Sequence, residues 1–292
     1  MDDRMVIIRP PSEANSFLLP VTIGCSNNTC TFCGTYEGIK FRIRQLEDIK
    51  QDINYVARNY SWSMRRVFLE NGDALIAPQP ILVEVLKHLN QKFPSLERIG
   101  TYATPKAALK KSVDELGELN RLGLKIAYLG VETGDEELLQ KVRKGATYDQ
   151  IVEAGRKLKQ AGITTSVTVI LGLGGVDGSE NHALKTAKIL SDIDPDFSGA
   201  LTLTLSPGTP LYKDWKEGRF SPISPFQSLV ELKLIIENSD FTNCFFTSNH
   251  ASNYLPLKLR LPEQKAAAIK LIADILANRD MSQLRPEFIR AL

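Results

Sequence analysis

The segment Thr22-Ile-Gly-Cys25-Ser-Asn-Asn-Thr-Cys30-Thr-Phe-Cys33-Gly34 places three cysteines within nine residues, in the spacing C-x4-C-x2-C. It directly follows an apolar run, residues 17–23, that predicts a β-strand. Three thiols on so short a loop are typical of a metal centre rather than of core packing. Because a closed structural site uses four ligands, the segment predicts a centre with one open coordination position.

Predicted strands and amphipathic helices alternate downstream of the cysteines. The predicted strands are 17–23, 66–70, 96–101, 125–131, 165–171 and 200–205. Apolar residues recur at helical spacing between them, for example Ile49, Ile53 and Val56, and one helix is expected to run from Leu109 to Leu122. Such alternation predicts an α/β fold with a parallel sheet, either a whole or partial barrel or a doubly wound open sheet.

The alternation ends near residue 212, which suggests three regions. We expect an N-terminal arm at residues 1–16, a core barrel at 17–212 and a C-terminal extension at 213–292. The extension begins with a connector rich in proline and serine at 220–228 and closes with a helix at 263–278, so it is expected to be mainly helical. It is expected to cover or pack on the barrel.

Residues suited to chemistry follow most of the predicted strands. In chain order these are Cys25, Asn71-Gly72-Asp73, Glu132-Thr133-Gly134, Gly172-Leu173-Gly174-Gly175 and Ser206-Pro207-Gly208. In a parallel sheet the carboxyl ends of the strands share one edge, where functional groups collect. Turn formation explains the glycines and prolines but not the cysteines and the two acids.

Composition excludes some classes of protein. The chain has 292 residues, 43% of them hydrophobic and 24% charged, with a net charge of +2, so nucleic acid is not a favoured partner. No apolar stretch is long enough to span a bilayer, and the opening Met-Asp-Asp-Arg does not resemble a signal peptide. We therefore expect a cytoplasmic protein with no membrane partner, in a reducing compartment that suits thiolate ligands.

The residues alone leave three metal centres open. A zinc site could combine the three cysteines with His88, His182 or His250 and would stabilise a binding module. A plant-type [2Fe-2S] electron carrier has a similar spacing and would use Cys244 as the fourth ligand. A [4Fe-4S] cluster with three cysteine-bound irons and one open iron combines the odd ligand count with a catalytic scaffold.

The stretch from about Phe17 to Pro210 resembles the radical S-adenosylmethionine (SAM) superfamily, in the branch of the Elongator catalytic subunit and the methylthiotransferases. The resemblance implies a partial (β/α)6 TIM-like barrel that binds a [4Fe-4S] cluster and SAM. It implies that SAM is cleaved reductively to a 5'-deoxyadenosyl radical, which abstracts hydrogen from a substrate that the sequence does not name. It also implies a reductant such as flavodoxin or ferredoxin, and a small-molecule or unknown substrate.

The resemblance assigns roles to residues of this chain. Cys25, Cys30 and Cys33 match the cluster ligands, although the usual spacing of the family is C-x3-C-x2-C. The other matching positions would bind SAM. They are Phe32 near the adenine, Asn71, Gly72 and Asp73 at the amino group, Glu132 at the ribose, Arg143 and Lys144 at the carboxylate, and Gly172 and Leu203 beside the adenine.

The C-terminal extension is expected to choose the substrate. It contains His250 and Tyr254 in a polar and aromatic segment. We expect either side chain to contact the substrate, donate a proton or quench a radical. A surface loop with a buried cysteine is the alternative interpretation of the same segment.

Overall fold

A computed structural model of the protein describes residues 8–290. Parallel strands and helices alternate along most of this length. The strands are β1 (Phe17–Pro20), β2 (Thr22–Ile23), β3 (Arg42–Ile43), β4 (Arg66–Glu70), β5 (Arg98–Ala103), β6 (Leu124–Glu132), β7 (Thr164–Leu171), β8 (Phe197–Thr202), β9 (Cys244–Thr247) and β10 (Lys258–Leu261).

The helices follow the strands in the order expected of crossover connections. They are α1 (Leu46–Tyr60), α2 (Gln79–Lys92), α3 (Pro105–Leu109), α4 (Val113–Arg121), α5 (Glu136–Lys141), α6 (Tyr148–Gln160), α7 (Gly175–Ile193), α8 (Pro210–Lys216), α9 (Pro225–Asn238) and α10 (Lys265–Asn278). Among the helices of residues 8–290, none combines the length and the apolar character needed to cross a bilayer.

The described chain divides into two compact units. Unit 1 comprises the described residues up to Asn28, Thr35–Leu129 and Glu153–Thr165, and unit 2 comprises Thr29–Gly34, Gly130–Val152 and the described residues from Ser166 onward. The three regions expected from the sequence stay a prediction. Part of the expected N-terminal arm, residues 1–7, and the end of the expected extension, residues 291–292, lie outside the described residues.

Sheet pairing confirms the predicted fold class. In unit 1, β1, β4, β5 and β6 pair in that order and all pairs are parallel. In unit 2, β7, β8 and β9 pair in parallel, and β10 pairs with β9 in the antiparallel direction. The main sheet is not closed, as in a partial barrel.

Aromatic rings fill part of the unit 1 core. Phe68 makes edge-to-face contacts with Tyr102 and Tyr128, with ring centroids 4.9 and 5.6 Å apart. The fully buried carboxylate of Glu13 accepts hydrogen bonds from the Tyr128 hydroxyl and from Arg98 Nη2, each at 2.6 Å. A buried charge is tolerated here because it is paired and hydrogen-bonded.

Two elements of the core differ from the sequence prediction. The strand predicted at 17–23 breaks at Val21, where the chain leaves the parallel sheet and β2 pairs with β3 in the antiparallel direction. The helix expected from Leu109 to Leu122 begins only at Val113 as α4, because Ser112 and Glu115 form a capping box there, and Leu109 is the last residue of α3. The other five predicted strands are present as β4 to β8.

The C-terminal extension contains more regular structure than the sequence predicted. Helix α9 begins at Pro225, inside the predicted connector, because Ser224 and Gln227 form a capping box around a proline at the first helical position. Strands β9 and β10 were not predicted, and β9 prolongs the parallel sheet beside β8. Helix α9 packs against both α7 and α10.

The turn after β6 depends on a glycine. A methyl group at Gly134 would overlap the carbonyl oxygen of Lys185 and lie 2.6 Å from its carbonyl carbon, whereas a methyl group at Gly178, inside α7, would meet no atom within 4 Å.

We therefore expect Gly134→Ala to lower the free energy of unfolding by about 1–3 kcal/mol through overpacking. Gly178→Ala is the control and should raise it by about 0.5–1 kcal/mol, because alanine favours the helix interior. Denaturant unfolding of both variants checks this, and equal effects of the two substitutions would contradict it.

Candidate active site

Four strand ends share one backbone feature. Gly24 after β2, Asn71 after β4, Glu132 at the end of β6 and Gly172 after β7 have φ angles of +77°, +74°, +67° and +81°. Asn71 and Glu132 are the notable cases, because a left-handed conformation is strained for a residue with a Cβ. Such strain persists only where the surroundings enforce it, and it often marks functional sites.

In unit 1, Cys25 lies against the turn that follows β4. A methyl group at position 72 would come within 2.6 Å of Cys25 Cβ and 2.8 Å of Tyr36 Cε2, so only glycine fits there. The Cys25 Sγ lies 3.8 Å from the carbonyl oxygen of Gly72. The Cys25 side chain is half-buried.

Hydrogen bonds tie this turn to the start of the cysteine loop. Gly72 N donates to Gly24 O at 3.1 Å, and Gly24 N donates to Asn71 Oδ1 at 3.3 Å. Asn71 Nδ2 in turn donates to Glu70 Oε2 at 2.8 Å. Burial raises the pKa of the Glu70 carboxyl. The left-handed Asn71 is thus held by the segment that begins the cysteine loop.

The Asp73 carboxylate is fully buried and hydrogen-bonded on both oxygens. Thr104 donates to it from its backbone N at 3.1 Å and from its hydroxyl at 2.8 Å, and the Ser26 hydroxyl donates as well. Burial raises the pKa of Asp73, and the hydrogen bonds from Ser26 and Thr104 act in the opposite direction. Asp73 therefore connects the cysteine loop to the turn after β5.

In unit 2, the second half of the cysteine loop is fixed by backbone hydrogen bonds. Thr31 N donates to Val142 O at 3.0 Å, and Leu211 N donates to Thr31 O at 2.9 Å. Cys33 N donates to Cys30 O at 3.3 Å, which closes a tight turn. The Cys30 side chain is half-buried and that of Cys33 is exposed.

Phe32, between these cysteines, packs on an apolar cluster of unit 2. The buried members of the cluster are Leu138, Val142, Leu173, Leu211 and Phe220. Leu203, Leu205 and Ile170 pack on the same cluster as Phe32. Phe32 and Leu203, which two different sequence motifs assigned to the adenine, thus pack on the same cluster.

Glu132 and Lys144 form an ion pair of 2.6 Å between Oε1 and Nζ. Both side chains are about nine-tenths buried. A methyl group at Gly130 would collide with Glu132 Oε1 and lie 2.8 Å from Lys144 Nζ, so the glycine leaves room for the pair. Arg143 is exposed and also has a left-handed backbone, with φ of +56°.

The sequence analysis missed Glu231, a fully buried acid on α9. Its carboxylate accepts hydrogen bonds from Gly172 N and from the Ser179 hydroxyl, each at 2.6 Å. The only available signal was an acid among the apolar residues of α9, such as Leu229 and Leu232. Glu231 holds the turn after β7 from a helix that is 59 residues away in sequence.

His182 holds the two neighbouring turns of unit 2. Its Nε2 lies 2.9 Å from Ile170 O and therefore carries the proton, so Nδ1 accepts from the Thr133 hydroxyl at 2.8 Å. The same hydroxyl accepts from Asp135 N at 3.0 Å. Burial lowers the pKa of His182 to about 4, so the ring stays neutral. His182, one of the candidate zinc ligands, has a structural role here.

A cavity of about 290 Å³ opens in unit 2. It is lined by Gly172, Thr202, Leu203, Thr204, Leu205, Pro222, Ile223, Tyr254, Glu287 and Arg290. Of the two residues expected to contact the substrate, Tyr254 lines this cavity. His250 is not among the described residues that line it; its Nδ1 lies 2.9 Å from the Ser252 hydroxyl.

Within unit 2, Cys244 lies at the opposite end of the sheet from the segment that holds Cys30 and Cys33. It is fully buried at the start of β9, where the next residue, Phe245, pairs with Phe197 at the amino end of β8. Phe32 packs beside Leu203, which follows the carboxyl end of β8, roughly 17 Å away at about 3.3 Å per residue. This placement contradicts the electron-carrier alternative, which needs Cys244 as a ligand.

Thiols are the donors that iron–sulfur clusters use. Within the described residues, no three His, Cys, Asp or Glu side chains are placed to hold one metal ion. Three cysteines with accessible or half-buried thiols remain. They suit a cluster whose irons each take one thiolate, with one iron left open.

Comparison with known proteins identifies the family. Residues 19–187, more than half of the chain, match the family described as the Radical SAM superfamily. The tRNA-2-methylthio-N(6)-dimethylallyladenosine synthase of Dehalococcoides mccartyi strain CBDB1 is 26% identical over 71% of this chain and 49% of its own length. The chain thus spans about half the length of this curated relative.

Solved structures share the fold. Coproporphyrinogen III oxidase from Escherichia coli, described as a radical SAM enzyme, has a TM-score of 0.58 at 18% identity, over 76% of this chain and 51% of its own. Archaeal Elp3 from Methanocaldococcus infernus has a TM-score of 0.54 at 15% identity, over 90% of this chain and 63% of its own. At these identities the similarity concerns the fold.

The buried Glu231 predicts a pH-dependent stability. Burial raises the pKa of its carboxyl to about 7, from an ordinary value near 4.5. Between these values the folded state keeps a proton that the unfolded state has lost, so the free energy of unfolding falls as pH rises. The expected loss is about 3.5 kcal/mol, at about 1.4 kcal/mol per pKa unit.

Glu231→Gln, which mimics the protonated acid, should remove this slope. Because the lowered pKa of His182 gives the opposite slope between about pH 4 and 6.5, the difference between wild type and variant isolates Glu231. Urea unfolding from pH 4.5 to 8 measures it. A difference that does not change with pH would contradict the prediction.

Proposed function

This chain belongs to the radical SAM superfamily and is an enzyme, and we propose that it cleaves SAM reductively at a [4Fe-4S] cluster held by Cys25, Cys30 and Cys33. When bound and reduced by one electron, the cluster would pass that electron to SAM, whose C5'–S bond would break to give methionine and a 5'-deoxyadenosyl radical that abstracts hydrogen from a substrate. We propose flavodoxin or ferredoxin as the reductant and the cytoplasm as the compartment. The cysteine loop, with three thiols and no fourth ligand, carries the proposal.

The turn after β4 is proposed to bind the amino group of SAM. Because both Asp73 oxygens accept internal hydrogen bonds and the side chain is fully buried, the Asp73 carboxylate is poorly placed for this role. The carbonyl groups of Asn71 and Gly72 are better candidates, since the left-handed Asn71 sets their direction. Asp73 would then act by fixing the loop through Ser26 and Thr104.

Glu132 is proposed to bind the ribose hydroxyls. Its Oε1 is held by Lys144, and its Oε2 makes no hydrogen bond to the described residues. A carboxylate oxygen accepts hydrogen bonds well, so Oε2 suits a diol. Arg143 and Lys144 are both proposed for the methionine carboxylate: Lys144 pairs with Glu132, and Arg143 is exposed and offers a planar guanidinium.

Phe32, Gly172 and Leu203 are proposed to surround the adenine. Phe32 and Leu203 pack on one apolar cluster, and Gly172 and Leu203 line the same cavity. A side chain at position 172 would collide with Ile223 Cγ1 at 2.8 Å, so the backbone itself would approach the ligand. Glu231 would keep this turn in position by accepting the hydrogen bond from Gly172 N.

A small molecule in the cavity is our proposed substrate, with Tyr254 beside it. The net charge did not favour nucleic acid, but the name of the curated relative refers to tRNA, so RNA remains the alternative to test. The substrate can be identified by isotope labelling, because a deuterated substrate would transfer deuterium to 5'-deoxyadenosine. Deuterated small-molecule pools and deuterated RNA distinguish the two classes.

Cluster assembly should depend on Cys30 but not on Cys244. After anaerobic reconstitution, wild type and Cys244→Ala should hold about four irons per chain, as a cubane requires, and release 5'-deoxyadenosine with dithionite. Cys30→Ala should lose both properties. Iron analysis and chromatography of the products check this, and full activity of Cys30→Ala would sink the proposal.

SAM affinity should depend on Glu132. We expect Glu132→Gln to weaken SAM binding about tenfold, the loss of one charge-assisted hydrogen bond. Glu180→Gln, at an exposed acid of α7, is the matched control and should bind as wild type does. Calorimetric titration of the reconstituted protein measures both; equal affinities would remove Glu132 from the site.

A further inference from the structure

The cavity of unit 2 has two unlike walls. One wall is apolar and includes Leu203, Leu205, Pro222 and Ile223, and the other consists of Tyr254, Glu287 and Arg290 from the C-terminal extension. We infer that Arg290 binds an anionic group of the substrate, a carboxylate or a phosphate, while Leu205, Pro222 and Ile223 of the apolar wall hold the rest of the molecule. That the ligand is the substrate rests on the proposed function.

Arg290 is a built part of the cavity and not a mobile surface residue. Its side chain is 8% exposed. Arg290 Nε donates to Ser252 O at 2.7 Å, and the guanidinium carbon lies 4.0 Å from the centre of the Tyr254 ring. Nη1 donates to both Glu287 oxygens, at 2.6 and 2.7 Å, and to the Tyr254 hydroxyl.

These contacts leave one nitrogen without a partner. Within residues 8–290, Arg290 Nη2 makes no hydrogen bond, although three acceptors surround Nη1. The remaining side chains of the wall are a phenol and a carboxylate. Nη2 is therefore the cationic donor that the cavity can offer to a ligand, and a planar guanidinium recognises carboxylates and phosphates.

The segment that carries Arg290 is anchored to the extension. Arg285 donates from Nη1 to His250 O at 2.7 Å and to Asn253 O at 2.9 Å. Its backbone N donates to Tyr254 O at 2.7 Å. The chain that precedes Arg290 is thus tied to the loop that contains Tyr254, so the polar wall is a preformed surface.

Substitution of Glu287 tests the inference, because the two interpretations of Arg290 predict different changes in anion affinity. The Glu287 side chain is 72% exposed, and both of its carboxylate oxygens accept hydrogen bonds from Arg290 Nη1. If Arg290 binds anions, Glu287 repels them, and Glu287→Gln should strengthen anion binding. If Arg290 is only a structural partner of Glu287, the same substitution should leave anion binding unchanged or weaken it.

The experiment uses the reconstituted protein and two probes, 4-phenylbutyrate and phenyl phosphate, with 4-phenylbutanol as the neutral control. Calorimetric titration should show binding of at least one anion and none of the alcohol. We expect Arg290→Gln to weaken anion binding roughly tenfold or more, and Glu287→Gln to strengthen it by a similar factor. The tighter probe shows whether the site prefers a carboxylate or a phosphate.

Arg219→Gln is the matched control, since Arg219 is an exposed arginine that pairs with Asp214. It should bind both probes as wild type does. If Arg290→Gln fails to fold, Arg290→Lys and Glu287→Gln test the inference instead. Lysine keeps the positive charge but lacks the planar, bidentate guanidinium. Failure of wild type to bind either anion overturns the inference, as does an unchanged or weaker affinity in Glu287→Gln.

SAM binding and uncoupled SAM cleavage are measured on the same variants. Both should be unaffected by Arg290→Gln. Loss of SAM affinity in Arg290→Gln would show that Arg290 binds the cofactor, which overturns the inference and leaves the proposed function intact. Absence of cleavage in wild type, with anion binding present, would overturn the proposed function and leave the anion site.

Discussion

At four strand ends the chain must turn at once, and at each of them it turns through a left-handed residue. Asn71, Glu132 and Gly172 have this conformation at the ends of parallel strands, and Gly24 has it after β2. For Glu132 the strain is of order 1–2 kcal/mol, and for Asn71 it is smaller because asparagine adopts this conformation more readily. The surroundings hold them there: Gly24 bonds to the Asn71 side chain, and the Glu132 carboxylate pairs with Lys144. Both strained residues are proposed SAM contacts.

The C-terminal extension completes this edge of unit 2 in two ways. Glu231 on α9 supplies the acceptor for the Gly172 N–H, which would otherwise be a buried donor with no partner among the described residues. Tyr254 and Arg290 supply the polar wall of the cavity. The extension therefore supports a turn that is proposed to bind the cofactor, and it also shapes the cavity that is proposed to hold the substrate.

Part of the fold and of the candidate site was predictable from local sequence patterns. The cysteine spacing, Asn71 and Glu132 lie in short segments with clear sequence patterns. In the structure, Asn71 directly follows β4 and Glu132 is the last residue of β6. The start of α9 also has a local signal, because Ser224-Pro-Phe-Gln is a capping box. The proline-rich context nevertheless led to the prediction of a connector. The contacts of Glu231 and Arg290 were not predictable, because each joins segments distant in sequence and depends on which face of the extension packs inward.

The central claim is that three cysteines leave one iron open for SAM. Electron–nuclear double resonance of the reduced cluster, with SAM labelled with 15N in its amino group, tests it most directly. The account predicts a hyperfine coupling from the label, because the amino group would bind the open iron. A spectrum that does not change when labelled SAM is added would contradict the account.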